Sequence, residues 1–388
     1  MILIDKPYVS DYLIKTIKDF KLQIIATKTA REMINDDSLN WINEIEAIKI
    51  LENNPKHILY SNSENSINWV EHNLTKTKLP ERIKLFKDKI LFRELLKDEY
   101  PQFYFLGVKY QELRDINPKE LNYPFIIKPA VGFFSIAVHK VNSKNEWQSV
   151  LDEIDSEMEK LVTAYPKEVI DGNNFIIEEI IPGEEYAVDC YFNDDGEVII
   201  LNIMKHVFSS DDDVYDRVYS TSKEIIQDNY DQIHKYIGNI GRKAKIKNFP
   251  AHIELRIDSN NSINAIEVNP MRFGGWCTSA DLSWHAFQIN TYDYVVNSKV
   301  PDWNELLKGK EGKKYSLIVL NNSSGIKEEE IKYFDYDLLL KDFSKPLEIR
   351  KTDYVNFTIF GFLFLETDEN SEDELNEILN SNLRKYIS

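Results

Sequence analysis

The chain has 388 residues, 43% hydrophobic and 29% charged, enough to bury a sizeable core across roughly two to four structural units. Its formal net charge of −18 sets up a field that repels phosphates, so neither nucleic acid nor an anionic membrane is an expected partner. The two cysteines, Cys190 and Cys277, lack both the paired spacing of a zinc site and the density of a disulfide scaffold, which makes a reducing cytoplasm the expected compartment.

The opening Met-Ile-Leu-Ile meets Asp5 and Lys6 at once and so lacks the apolar stretch of a signal peptide. Residues 2–4 predict a strand, residues 12–20 carry apolar positions at helical spacing, and residues 23–27 predict a second strand. Helical spacing at 42–51 and a short strand at 57–60 complete a small parallel α/β unit, which the Leu79-Pro80 step closes. Residues 83–96 predict one helix leading into 103–108, and 124–128 a strand. From residue 174 strand patterns dominate, at 175–180, 186–192, 198–204, 252–257 and 263–268. Residues 315–320, a run around Leu338 and residues 354–365 form a last unit, closed by an acidic helix at 371–379. The apolar stretch 357–365 is broken by Thr358 and Gly361 and is too short to span a bilayer as a helix, so it reads as a buried strand.

Chemistry concentrates in one predicted hairpin. In residues 251–257 strand periodicity puts His252, Glu254 and Arg256 on one face and aliphatic side chains on the other. Residues 258–262 have the Asp, Ser and Asn chemistry of a turn, and the next strand places Ala265, Glu267 and Asn269 on a common face. With a loop at 259–262, Asp258 pairs with Ile263 and Glu254 falls opposite Glu267. Like charges facing across a sheet are destabilising unless compensated. A divalent cation would compensate them, because carboxylate and amide oxygens are the hard ligands magnesium prefers, with further oxygen ligands completing its octahedron. Glu254, Glu267 and Asn269 are the expected metal ligands. A solvated hairpin face with Arg256 screening the carboxylates is the alternative from spacing alone.

Glu267-Val268-Asn269-Pro270-Met271-Arg272-Phe273-Gly274-Gly275 resembles the metal-binding Glu-x-Asn-Pro-Arg segment of ATP-grasp enzymes, including the carbamoyl-phosphate synthetase and amino-acid ligase branches. In that resemblance Glu254 and Glu267 are the two metal-binding glutamates, Asn269 the amide ligand, and Arg272 the basic residue near the reacting phosphoryl group. Arg272 stands one place later than usual because Met271 is inserted. Pro124-Phe125-Ile126-Ile127-Lys128-Pro129 resembles the strand whose closing lysine contacts the α- and β-phosphates. The loop after it offers Gly132 and Ser135 to line a phosphate as a lid, with Phe133 and Phe134 where many relatives have small residues. Asp88-Lys89 resembles the pair that opens a helix and supplies a second phosphate-contacting lysine, with Lys87 as a substitute. Phe175-Ile176-Ile177-Glu178-Glu179-Ile180-Ile181-Pro182-Gly183-Glu184-Glu185-Tyr186 resembles the linker strand on which adenine lies. It implies Glu178, Glu179 and Ile181 at adenine, mainly through backbone groups, and Glu185 at ribose.

These segments follow the family's order over roughly residues 88–275. The resemblance implies a mixed α/β and α+β chain with an ATP-grasp fold. An N-terminal Rossmann-like α/β domain is expected at 1–85, an ATP-grasp domain at 86–312 with a lid at about 121–182, and a small α+β domain at 313–388. ATP with Mg2+ or Mn2+ is the implied cofactor set. The implied activity is an ADP-forming ligase that makes an acyl phosphate from a carboxylate and passes the acyl group to an amine, with Arg272 and Lys128 as catalytic residues. A phosphotransferase, a carboxylate-thiol ligase and a non-catalytic nucleotide binder are alternatives on the same fold. A small-molecule carboxylate and an amine are the expected partners, and a homodimer is compatible with the reading. The substrate pocket is expected beyond the hairpin, where Lys205, His206, Arg217, Arg256, Arg272 and Trp276 could meet. Arg217 could instead neutralise the acidic residues 211–213, and His206 and His252 could be satisfied structural residues.

Overall fold

A computed structural model describes residues 1–132, 137–164, 173–208, 217–371 and 373–388. The chain begins with a parallel sheet of two-residue strands, β1 (Ile2–Leu3), β2 (Ile24–Ile25), β3 (Trp41–Ile42) and β4 (Tyr60–Ser61), in the order β3-β2-β1-β4. Ile2, Leu3, Ile24 and Ile25 are fully buried, each aliphatic side chain contributing about 1.5–3 kcal/mol through loss of contact with water. The helices between these strands start at side-chain caps: Ser10 accepts from Leu13 N before Asp11–Asp19, and Asn43 from Glu46 N before Glu44–Asn53. The single helix expected over 83–96 is two helices, Leu79–Lys87 and Lys89–Leu96. Asp88 adopts an extended conformation between them and caps the second through Ile90 N and Leu91 N. The Leu79-Pro80 step lies inside the first helix, where proline near the N-terminus loses no helical hydrogen bond.

Next comes an antiparallel sheet built from β5 (Phe105–Lys109), β6 (Phe125–Pro129), β7 (His139–Val141) and β8 (Asn174–Glu179), ordered β5-β8-β6-β7. The helix Trp147–Ala164 covers it, burying Trp147, Leu151 and Ile154 against Phe125, Ile127 and Phe175.

The central sheet holds β9 (Glu184–Phe192), β10 (Val198–Val207), β11 (Val218–Ser222), β12 (Phe249–Ile257), β13 (Ile263–Pro270), β14 (Lys313–Asn321), β15 (Pro346–Lys351) and β16 (Ile359–Asp368). Among the described residues its order is β13-β12-β9-β10-β11-β14-β16-β15, so the C-terminal strands extend the sheet that carries the hairpin. The helix Lys223–Ala244 packs on it through Ile226, Ile233, Ile237 and Ile240. Gly183, with φ +109°, makes the turn into β9, and a Cβ there would lie 2.2 Å from the Ile257 carbonyl oxygen, so only glycine lets that turn close on the end of β12. Among the described residues no helix is long and apolar enough to cross a membrane.

Candidate active site

The β12–β13 hairpin sets Glu254 directly opposite Glu267. Asn269, two residues along β13, donates from Nδ2 to Glu267 Oε1 at 2.9 Å and to Glu254 Oε1 at 3.4 Å. Lys89 Nζ lies 3.3 Å from Glu267 Oε2. Burial pushes the Glu267 carboxyl up, but the Lys89 and Lys87 charges outweigh burial and hold it down at about 2. The pair is thus compensated in part by protein cations, which corrects the bare facing carboxylates expected from sequence. Arg256, the residue that would screen them on a merely solvated face, turns to Glu185 instead.

The donor set suits magnesium. Among the described residues no three His, Cys, Asp or Glu side chains form a metal cage by themselves. Two carboxylates and an amide, whose oxygen and nitrogen exchange by a half-turn, leave coordination positions for water and phosphate, as magnesium prefers. Beside them His252 Nδ1 lies 2.7 Å from Asp189 Oδ1, and its Nε2 lies 3.7 Å from Glu254 Oε1. Buried Asp189 stands opposite His252 in the β9–β12 register and fixes the orientation of the ring.

Lys128, at the end of β6, places Nζ 2.8 Å from Glu178 Oε1, and Arg93 Nε donates to Glu178 Oε2 at 2.7 Å. All three side chains are buried. Burial drives the Glu178 carboxyl up, yet the Arg93 and Lys128 charges prevail and hold it at about 2. Burial lowers the Lys128 ammonium, with Glu178 opposing it. The main chain of Glu178 pairs with Phe105 on one side and Ile126 on the other, and its side chain faces Lys128.

Met271 resolves the position of Arg272. It takes φ +64°, buries its side chain, and accepts from Ser61 N at 2.8 Å through its carbonyl. The turn brings Arg272 to Glu64, with Nε 3.0 Å from Glu64 Oε1 and Nη2 bonded to the same oxygen. Lys87 Nζ holds the other oxygen at 2.7 Å. Glu64 thereby fixes two cations beside the hairpin, and the Arg272 charge interacts with both Glu267 and Glu254.

On the linker strand, Glu179 exchanges two hydrogen bonds with Tyr104, its N donating to Tyr104 O at 3.0 Å and its Oε2 accepting from Tyr104 N at 3.1 Å. The Ile181 carbonyl accepts from Arg256 Nη1 at 2.9 Å. Glu185 is buried between His206 Nδ1 at 3.1 Å and Arg256 Nε at 3.0 Å, and the His206 ring stacks on Tyr219. Lys89 N donates to Ala130 O at 2.9 Å, which anchors the segment leading to Gly132. A Cβ on Gly132 would meet only ordinary contacts with Pro129, so packing does not demand glycine there. Ser135, Phe133 and Phe134 lie outside the described residues.

The substrate candidates separate. Trp276 stacks on Tyr8, with ring centroids 5.7 Å apart, and accepts from Arg350 Nη1 through its carbonyl. Lys205 pairs with Glu184 beside the linker turn. Arg217 is bonded away from the hairpin: its Nη1 donates to Leu379 O and Ser381 O, and its Nη2 to Ser323 Oγ. Residues 211–213, its alternative partners, lie outside the described residues. An open groove of about 630 Å3 lined by Tyr230, Asp231, Pro301, Trp303 and Leu307 includes none of the site residues. Three residues of the site were absent from the sequence reading: Arg93, Glu64 and Asp189. Arg93 carried a signal, standing four residues after Lys89 and so on the same helix face.

Residues 121–280 match the family model of the ATP-grasp domain. A comparison with curated proteins finds no match. Among solved structures, the chain is similar to an L-amino acid ligase from Bacillus licheniformis, at 16% identity and a TM-score of 0.70, covering 100% of this chain and 97% of that one. It is also similar to a biotin carboxylase from Campylobacter jejuni, at 13% identity and a TM-score of 0.62, covering 95% and 87% of the two chains. An N5-carboxyaminoimidazole synthase from Aspergillus clavatus, in complex with ADP and 5-aminoimidazole ribonucleotide, is similar at 13% identity and a TM-score of 0.62, covering 99% and 98%. At these identities the likeness shows the fold, and it extends over the whole chain.

Proposed function

We propose that this chain, which carries an ATP-grasp domain, is an ADP-forming ligase that activates a carboxylate as an acyl phosphate for attack by an amine. The observation that carries the reading is the facing pair Glu254 and Glu267, joined by Asn269, with the charges of Lys87, Lys89 and Arg272 acting on it and Lys128 next to Lys89. Bringing a carboxylate to the γ-phosphate sets two anions together, so the barrier is mainly one of charge and is lowered by cations fixed in advance. Magnesium held by Glu254, Glu267 and Asn269 would supply neutralisation at the phosphates. Lys128 and Lys89 serve the phosphate chain, and Arg272 the transferring group. A carboxylate oxygen forms the new bond to phosphorus as the bond to the bridging oxygen breaks and ADP leaves with its electron pair. The amine then adds to the acyl carbon, phosphate departs with the C–O bonding pair, and the amine proton passes to solvent.

The same reading divides the chain at 85/86 and 312/313. Amino acids are the first substrates to try, because an L-amino acid ligase shares the fold across 97% of its own length. Pairwise screening of amino acids with ATP and magnesium tests the proposal through phosphate release. Release is expected only when both a carboxylate and an amine are present. A stable phosphorylated product would indicate a phosphotransferase, dependence on a thiol would indicate a carboxylate-thiol ligase, and no release with any pair would count against catalysis.

A further inference from the structure

Arg93 bonds to acceptors on two sheets. From the helix Lys89–Leu96, its Nε donates to Glu178 Oε2 on β8 at 2.7 Å, its Nη1 to Ala265 O on β13 at 2.7 Å, and its Nη2 to Ile266 O at 3.4 Å. Those two carbonyls sit at the irregularity of the hairpin, where Leu255 pairs with Ala265 but Glu254 pairs with Glu267, leaving Ile266 as the extra residue of a β-bulge. The bulge decides the site. Continued without it, the register from Ile257–Ile263 and Leu255–Ala265 would set Glu254 opposite Ile266 and move Glu267 opposite Ile253, on the aliphatic face. The two carboxylates and Asn269 could not then converge. Glu178, the other acceptor, holds Lys128 through its second oxygen at 2.8 Å.

We infer that Arg93 is a positioning residue that locks the bulged register of the metal hairpin to Lys128, so that metal and nucleotide bind as a coupled pair. The inference rests on the ATP and magnesium reading above. The planar guanidinium sends donors in fixed directions to a carboxylate and to two carbonyls, whereas a lysine ammonium keeps the charge for Glu178 but does not span to both carbonyls. Lys89, one turn earlier on the same helix, reaches Glu267, so the helix holds the hairpin at two points.

Calorimetric titration of the full chain with AMP-PNP, in magnesium and in EDTA, reads the coupling as the ratio of the two affinities. For Arg93→Lys the affinity in EDTA should stay within about threefold of the parent, while the gain conferred by magnesium falls roughly ten- to a hundredfold. A purely structural role would lower the melting temperature and leave the ratio at the parent value, and that result would overturn the inference. If Arg93→Lys does not fold, Glu178→Gln keeps the shape and removes the charge shared by Arg93 and Lys128. It should lower the same ratio, and an unchanged ratio would overturn the inference equally. A parent chain that binds AMP-PNP with the same affinity in both media would remove the metal–nucleotide reading itself, and the inference with it.

Discussion

Glu267 shows how one contact reverses an expectation. Read from the sequence, Glu254 and Glu267 repel each other until a metal arrives, so neutralising one should leave the metal-free protein as stable or more so. The structure places Lys89 Nζ 3.3 Å from Glu267, so Glu267→Gln strands a mostly buried ammonium. It should lower metal-free stability by about 1 kcal/mol and abolish the stabilisation given by magnesium with AMP-PNP. Melting curves with and without the ligands check both signs. Glu178 supplies a second test at this scale. Its folded carboxyl is held at about 2 against an ordinary value of 4.5, so the stability it contributes is fully present above pH 4.5 and is lost as pH falls toward 2. Urea unfolding across that window should show a steep loss for the parent and a shallower one for Glu178→Gln. Lys89, Lys128, Glu254, Glu267 and Asn269, which the sequence names and the fold brings together, stand in short ordered segments. Glu64 was not legible, because its partner Arg272 lies 208 residues away.

Local geometry at the scale of elements departs from periodicity where a polar side chain intervenes. Apolar spacing over residues 83–96 is continuous enough to predict one helix, but Asp88 breaks it by bonding Ile90 N and Leu91 N with its carboxylate. The break places Lys89 at the first position of a new helix, aimed at Glu267. Asp88→Ala should cost about 0.5–2 kcal/mol by removing the cap. It should also weaken binding of magnesium with AMP-PNP, since Lys89 loses its fixed start. Melting and calorimetry on one sample measure both, and a stability loss with intact affinity would dissociate the cap from the site. The hairpin is instructive in a different way. Glu254 does face Glu267, but not through the Asp258–Ile263 pairing expected; the ladder ends at Ile257–Ile263, and the bulge at Ile266 restores the alignment. Alternation shows which face a side chain takes, whereas a bulge held by Arg93 from another element leaves no mark in the spacing of the strand itself.

Over the whole molecule, three distant segments meet at buried Asp281. Its Oδ1 accepts from Ser10 Oγ at 3.3 Å and Tyr292 OH at 3.0 Å, and its Oδ2 pairs with Arg350 Nη2 at 2.6 Å. Arg350 belongs to β15, so a strand near the C-terminus is tied to the cap of the first helix. Arg350→Met would leave that carboxylate buried without its cation and should cost about 3–5 kcal/mol, measured by denaturant unfolding. The sequence set apart a small unit at the C-terminus, and in the structure the apolar core there also takes in Val218 of β11. The pairing of β11 with β14, which makes the sheet continuous, depends on a contact across about a hundred residues that periodicity does not encode. The central claim is the acyl phosphate, and its most direct measurement follows oxygen. With a carboxylate substrate labelled at both oxygens with 18O, ATP, magnesium and an amine, the account predicts ADP together with inorganic phosphate carrying one labelled oxygen. Label appearing in AMP, with pyrophosphate released, would contradict it.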